Sequence, residues 1–586
     1  MRLGPADYLR GNVMKLDRCC RTTIVMIVAA LLMPGEVTAR QAAVPYSPVT
    51  QARLENPEPE NWLFYRGTYD GWGYSELDQI DVENVADLVP VWSFSTGVNS
   101  GHEAPAIIND GVMFVTTPGN QVIAIDVRTG DLLWLYEHEM PEDVIGFHYT
   151  NRGVALFGDK VFMATLDARV VALDAATGEV VWDESVADNS SGYYMTLAPL
   201  TARGKVMVGV SGGELGIRGF VVALDTETGA EVWRTHTVPG PGEPGNDTWP
   251  AEAWRTGGAA VWLTGHYDPE LGLTYWGTGN PGPWMGDVRP GDNLYSNSVV
   301  ALNVDTGELV DHHQYHWNGA WDWDEVSTPL LIDVERDGRT FPALVHPGRN
   351  GYLWLLERSA DAISFVDAWP YVRQNVFTDI DSETGRPTYD PARKPGTGVL
   401  AEFCPSLWGG KDWPPAAYNP DTGLLYIPAN ENLCGSSEGE EVEYRPGRAF
   451  IGADTDMTVW PGADHIGELQ AWDMNTGEEV WTQEFDSPNW GPVMTTAGNL
   501  VFMGGTSDRQ FRAFDARTGD QLWQHRTNSG VIGVPSSYMV DGVQYIAVQS
   551  GFGVDAVSMQ RRVDADRGTD TFVPQGGVIW VFALGG

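Results

Sequence analysis

Cysteine is almost missing from this chain of 586 residues: only Cys19, Cys20, Cys404 and Cys434 occur. No Cys-x-x-Cys-His is among them, which excludes a covalently attached c-type haem. Positive charge is scarce as well. Lys and Arg number 36 against 79 Asp and Glu, a formal net charge of −43. Such a chain repels a phosphate backbone, so nucleic acid is not an expected partner. Long apolar runs are rare. TTIVMIVAALLM (22–33), about twelve residues, falls short of the ~20 that a membrane-spanning helix needs. No other run is longer, so no membrane span is expected. A sustained 3.6-residue apolar period is also missing, and no long helix is expected. The chain is still no disordered acidic polymer. Its hydrophobic share is 42% and its charged share 20%, enough for a core.

What is present begins with the amino terminus. The apolar run follows Lys15, Arg18 and Arg21 and precedes Val37-Thr38-Ala39, a small-x-small pattern. This is the order of a secretory signal, so residues 1–39 are expected to be removed and the protein exported to the periplasm. In that oxidising space Cys404 and Cys434 are free to pair, the other reading being two buried thiols. A disulfide closing about thirty residues contributes about 3–4 kcal/mol.

Glycine (68), proline (37) and tryptophan (24) are abundant, and a repeat explains them. The copies are AIDVRTGDLLW (124–134), ALDAATGEVVW (172–182), ALDTETGAEVW (223–233), ALNVDTGELVD (301–311), AWDMNTGEEVW (471–481) and AFDARTGDQLW (513–523). YDPELGLTY (267–275) and YNPDTGLLY (418–426) are weaker relatives, and NVADLVPVW (84–92) is like a closing half. In each copy a strand ends at Asp, Thr-Gly turns the chain, and a second strand carries Trp inward. A period of about 42–51 residues with several short strands per unit reads as propeller blades. Length alone suggests three or four domains; the repeat makes residues 40–586 one all-β, eight-bladed propeller. HHQYH (312–316) follows a repeat turn. An extended backbone puts His312, Gln314 and His316 on one face and His313 on the other, which reads as strand rather than metal site.

The segments between repeats are more specific: TNRG (150–153), SGGELGIRG (211–219), GTGNPGPW (277–284), WDWD (321–324), HPGRNG (346–351) and GGKDWPP (409–415). With the Trp-ended repeat, they resemble the quinoprotein alcohol dehydrogenases, eight-bladed propellers that carry pyrroloquinoline quinone (PQQ). The resemblance covers essentially the whole mature chain. It implies metal ligands at Glu214, Asn280 and Asp322, with Asp324 as a further carboxylate. All four are hard oxygen donors, suited to Ca²⁺ or another large hard cation. The extra carboxylate of Asp324 and the Lys411-Asp412 pair look like the lanthanide-dependent branch, so a lanthanide(III) ion is favoured over Ca²⁺. The resemblance implies PQQ contacts at Glu103, Arg152, Thr196, Ser211, Gly212, Gly213, Asp412 and Trp490, with Trp262 as stacking floor. Guanidinium groups suit carboxylates, and an indole suits a flat ring system. Asp322 would serve as general base and Arg349 would stand at the reactive carbonyl. A Cys404–Cys434 disulfide matches one in methanol dehydrogenases.

Four positions depart from the family pattern. Gly146 and Phe147 stand where adjacent disulfide-bonded cysteines usually cover the quinone, leaving Phe147 or His148 as cover. Ala260 replaces a threonine, and Asp555 falls where a tryptophan lines the substrate mouth. These changes point to a wider or more polar cavity than methanol needs. The expected activity is oxidation of a primary or secondary alcohol to aldehyde or ketone by hydride transfer to metal-bound PQQ. The electrons would pass to a soluble cytochrome c. A PQQ sugar or polyol dehydrogenase and a non-enzymatic propeller scaffold are the alternatives, and homodimerisation is left open.

Overall fold

The computed structural model describes residues 46–585. The expected leader over 1–39, with Cys19 and Cys20, lies outside the described residues. The architecture is an all-β propeller. Strands Ile107–Asn109, Val112–Thr116, Gln121–Asp126 and Leu132–Glu137 hydrogen-bond in that order to form one antiparallel sheet. The same arrangement recurs over residues 154–185, 200–236, 266–314 and 330–370. A further sheet is built from Ala417–Asn419, Leu424–Asn430, Gly467–Asp473 and Glu478–Phe485. Strands within 494–526 form the next, to which Tyr74–Ser75 adds an edge. The last sheet joins the two ends of the chain: Leu88–Ser95 pairs antiparallel with Val578–Leu584. Between the sheets at 330–370 and 417–485 the chain inserts a hairpin, Phe377–Ile380 with Pro387–Tyr389, and the strand Leu400–Phe403. That strand forms a separate sheet with Leu433–Gly439 and Ala453–Val459, which are inserted between the second and third strands of the 417–485 sheet.

The strong repeat copies all sit at the turn between third and fourth strands. In 172–182 the Asp174 carboxylate accepts hydrogen bonds from the backbone N–H groups of Ala176 and Thr177, and from the Thr177 hydroxyl. This fastens the turn locally. The two weaker relatives belong elsewhere: 267–275 and 418–426 turn between first and second strands.

Each repeat tryptophan ties its sheet to the next. The indole N–H groups of Trp92, Trp134, Trp182, Trp233, Trp481 and Trp523 donate to Val127, Ala175, Thr226, Val304, Ala516 and Leu88 carbonyls at 2.9–3.1 Å. The glycine of Thr-Gly has a second duty here. Gly178 lies at φ +74°, and a Cβ on it would fall 2.6 Å from the Trp134 ring. Gly130 beneath Trp92 and Gly307 beneath Trp233 are alike. The turn therefore needs glycine both for its left-handed backbone and as a seat for the preceding sheet's indole. The sheet at 330–370 has no Thr-Gly copy, yet its Trp369 takes the equivalent seat on Gly477.

One expectation is corrected. A helix of 14 residues, Val554–Arg567, follows Gly553 and ends at Gly568 in the left-handed conformation. Ala556, Met559, Gln560 and Val563 form its buried stripe, the i, i+3, i+4, i+7 spacing of a helix face. HHQYH behaves as expected of a strand end: Leu309–Gln314 is extended, and His313 is buried among Tyr315, Trp354 and Phe365.

Candidate active site

TNRG aims an arginine. Asn151 donates to the Ala164 carbonyl and accepts from Gly153 N–H, and the Arg152 backbone donates to the Thr196 carbonyl. The Arg152 guanidinium then pairs with Glu103 at 2.9 Å and donates to Thr196 Oγ1 at 2.7 Å. Thr196 Oγ1 in turn lies 3.3 Å from Ser211 Oγ. Arg152 is held between two indoles, its Cζ 4.9 Å from the ring centroids of both Trp262 and Trp413. Trp262 is only half-buried while Arg152 is 4% exposed. Burial raises the Glu103 carboxyl above the usual range, with Arg152 opposing it.

The WDWD run is not the extended segment expected from its spacing: the Asp324 N–H donates to the Asp322 carbonyl at 3.2 Å across a tight turn. Trp321 and Trp323 are buried and stacked with centroids 5.0 Å apart. Their indole N–H groups bond the Arg393 and Ser406 carbonyls. Asp322 and Asp324 take the other side. Asp322 sits at φ +64°, unusual for a residue with a side chain. Asp324 accepts from Trp262 Nε1 at 2.7 Å and from the Asn280 backbone N–H at 2.5 Å. Gly279 permits that approach: a Cβ there would fall 2.6 Å from Asp324 Oδ1. Glu214 comes from a tight turn, Gly213–Leu215, entered through Gly212 at φ +113°. Its backbone carbonyl accepts from Phe450 N–H of the inserted sheet's loop at 2.7 Å.

The carboxylates crowd one another. Burial, then Asp324, pushes the Glu214 carboxyl up to about 7. Burial, then Asp324 and Glu214, lifts Asp322 well above the carboxylate range. Arg349 answers them from HPGRNG. It pairs with Asp412 at 2.7 Å, donates to the Asp322 carbonyl at 3.1 Å, and lies 5.6 Å from the Trp262 ring centroid. Burial works against its charge, but Asp412, Asp324, Asp322 and Asp555 outweigh it and hold the guanidinium protonated. Burial also raises Asp412, with Arg349 opposing.

The polar atoms left over are those that a flat anionic cofactor and a hard cation would satisfy. Arg152 Nε, Arg349 Nε and Trp490 Nε1 are buried donors without a hydrogen-bond partner. Among the described residues, no three His, Cys, Asp or Glu side chains already converge at metal-binding distance. Glu214, Asp322 and Asp324 stand near one another but apart. Asn280 satisfies its amide with nitrogen toward Asp324 Oδ1 at 2.6 Å and oxygen toward Trp284 Nε1 at 2.9 Å. Half a turn of the amide presents its oxygen to the carboxylates instead. The donor set therefore fits a large hard cation, and the Trp262–Arg152–Arg349 surround fits PQQ. Trp490 stands further back, 1% exposed in the apolar cluster that also holds Trp413.

Glu325 had no sequence signal, and other members take partners that their motifs did not show. Glu325, the residue after WDWD, is fully buried. It accepts from His346 Nε2 at 2.7 Å and from the Arg349 and Asn350 backbones at 3.0 and 3.2 Å, and His316 Nδ1 lies 3.3 Å from it. It thus fastens the loop that carries Arg349, and it gives His316 a structural purpose. Trp413 forms the second wall of the Arg152 sandwich. Lys411 is buried behind Asp412, donating to Ser327 Oγ and the Asp412 carbonyl, and burial pushes its amine down to about 7. Ala260 is buried in irregular backbone, and its carbonyl accepts from Gly279 N–H at 2.7 Å. Cys404 and Cys434 are disulfide-bonded, Cα atoms 4.3 Å apart, next to the inserted sheet. Gly146 packs near Tyr194 and Phe147 is 41% exposed.

Comparison with known proteins gives consistent matches. The family described as "PQQ: Glucose/ethanol/alcohol dehydrogenase, beta-propeller domain" matches residues 62–363 and 482–546. The quinoprotein alcohol dehydrogenase PedH of Pseudomonas putida is 40% identical, the alignment covering 96% of each chain. The lanthanide-dependent methanol dehydrogenase of Methylacidiphilum fumariolicum is 38% identical over 85% of each. A solved europium-containing methanol dehydrogenase superposes with TM-score 0.86 at 36% identity, covering 91% of this chain and all of that one.

Proposed function

Because the chain belongs to the PQQ-dependent glucose/ethanol/alcohol dehydrogenase family of β-propellers, we propose that its site around Trp262 oxidises a primary or secondary alcohol larger than methanol, giving aldehyde or ketone. The protein is a PQQ-dependent alcohol dehydrogenase; a scaffold without catalysis is set aside. The observation that carries the reading is the unbroken chain of contacts from Glu103 through Arg152, Trp262 and Asp324 to Asp322 and Arg349. When bound, PQQ supplies a two-electron acceptor for the hydride of the carbinol carbon, and the metal supplies Lewis acidity.

The chain's own residues do the rest. Trp262 gives a flat floor and keeps water from one face. Arg152, Thr196 and Ser211 offer donors to cofactor carboxylates, with Gly212 and Gly213 leaving space beside them. Glu214, Asn280, Asp322 and Asp324 hold the cation. Asp322 takes the substrate hydroxyl proton as general base, and Arg349 keeps a positive charge where negative charge develops. Asp412 anchors Arg349, and Trp490 closes the far edge. The metal we infer is a lanthanide(III), because Asp324 adds a third carboxylate to Glu214 and Asp322.

The eight sheets of four or five strands we read as eight blades of one domain over 40–586, released from its 1–39 leader into the periplasm. A chain without its own haem needs an external acceptor, and its acidity suits a basic soluble cytochrome c. Apoprotein given PQQ and metal should gain dye-linked alcohol oxidation, and Asp322→Asn should lose it; activity without PQQ would sink the reading. Asp324→Ala should weaken activation by La³⁺ more than by Ca²⁺. Equal weakening would remove the case for a lanthanide.

A further inference from the structure

His148 and Asp555 meet at the solvent-side edge of the charged cluster around Trp262, from chain segments about four hundred residues apart. His148 lies in the loop leading into TNRG, and Asp555 in the first turn of the helix Val554–Arg567. Their side chains are 39% and 28% exposed, whereas Arg152, Glu103, Arg349 and Asp412 below them are almost closed to solvent. Asp555 acts electrostatically on all four of those buried groups. The pair is therefore the more exposed part of the charged cluster around Trp262.

The contact has a particular spacing. His148 Nε2 is 3.4 Å from Asp555 Oδ2, longer than the about 2.7–2.9 Å of a strong charge-assisted hydrogen bond. Tyr194 Oη stands 3.5 Å from His148 Nδ1, on the other side of the ring. An imidazolium donor and a carboxylate acceptor side by side accept one neutral group with both capacities. A hydroxyl is such a group: its O–H donates to Asp555 and its lone pair accepts from His148. An alkyl chain offers neither and would strip water from an ion pair without replacing it. An ammonium would meet His148, Arg152 and Arg349; a carboxylate would meet Asp555, Asp412 and Glu103.

We propose that His148 and Asp555 form a specificity site for a second hydroxyl group, so that the preferred substrates are diols and other polyhydroxylated alcohols rather than alkanols. This rests on the alcohol dehydrogenase reading above and names its substrate class. The reacting hydroxyl is bound at Asp322, and the second hydroxyl at this pair sets orientation and selectivity.

The test compares size-matched pairs, 1,3-propanediol against 1-butanol and 1,4-butanediol against 1-pentanol, with enzyme loaded with PQQ and metal. A site that bonds a hydroxyl should favour each diol roughly 10–100-fold in kcat/KM. Asp555→Leu should bring that ratio to about one or below by losing the diol rate while alkanol rates fall far less, and His148→Gln should give an intermediate ratio. Tryptophan fluorescence and retained PQQ check that both variants are folded. An activity-independent readout is the His148 imidazole proton resonance, assigned by its loss in His148→Gln. It should shift on adding 1,4-butanediol and not on adding 1-pentanol. A wild-type ratio near one, equal losses for diol and alkanol, or an unmoved resonance overturns the proposal while leaving the dehydrogenase reading intact. No PQQ-dependent oxidation of any alcohol overturns both.

Discussion

Replacing Glu325 by Gln keeps its shape and removes its charge. His346, Arg349 and Asn350 all donate to that carboxylate. Breaking a buried pair of this kind typically costs about 3–5 kcal/mol, so Glu325→Gln should lower Tm markedly and slow turnover through a loosened Arg349 loop. Burial opposes the charge, but His316 and His346 outweigh it and hold the Glu325 carboxyl near about 2, against an ordinary 4.5. A depressed carboxyl stabilises the fold above its unfolded value. That contribution should be lost as pH falls from about 4.5 toward 2, and acid melting curves of wild type against Glu325→Gln would show it. His148 runs the other way. Burial disfavours its charge, yet Asp555 lifts the imidazole to about 9 from 6.5. Its contribution is full below about pH 6.5 and fades as pH rises through 9, and Asp555→Asn should flatten that dependence in thermal melts. Arg152, Asp322 and Arg349 could be named as candidates because each sits inside a short motif, TNRG, WDWD or HPGRNG. Glu325 could not, because its partners His316, His346 and Arg349 come from other segments and no local pattern announces it. Trp413 lay inside GGKDWPP, but its packing on Arg152 depends on a residue far away along the chain.

The tryptophan and the glycine it sits on form a unit that spans two sheets. Trp134 packs on Gly178, and its N–H bonds Ala175 in the same turn. Gly178→Ala must fit a methyl 2.6 Å from the ring at φ +74°, a change expected to cost about 1–3 kcal/mol. Trp134→Ala removes the indole itself and should cost about 3–5 kcal/mol. Chemical denaturation of both variants and the double mutant would show strong non-additivity, since one contact is removed twice. Periodicity exposed the third and fourth strands of each sheet because Asp, Gly and Trp mark them. The sheet at 330–370 was harder to see: it keeps Trp369 but lacks the turn signature. The helix Val554–Arg567 escaped because its buried stripe includes Gln560, and because six of its fourteen residues are charged. A four-position stripe in so polar a segment barely departs from noise.

At the scale of the whole molecule, two features come from composition. The full chain's net charge of −43 gives a long-ranged field, so the proposed electron transfer to a basic cytochrome should slow as salt rises from about 0.01 to 0.15 M, where screening lengths shrink from about 30 to 8 Å. The disulfide is the other. Reduction, or Cys404→Ser with Cys434→Ser, should remove about 3–4 kcal/mol from a loop 30 residues long, read as a lower Tm under reducing conditions. The last sheet takes Leu88–Ser95 from near the start of the described chain and Val578–Leu584 from its end. This pairing imposes an order on biogenesis. Until residues 578–584 leave the ribosome, Leu88–Ser95 has no strand beside it and the ring stays open along that seam. A nascent or truncated chain thus presents a bare strand edge to chaperones and to other chains. Full-length synthesis is therefore the step that turns an aggregation-prone ribbon into a sealed enzyme.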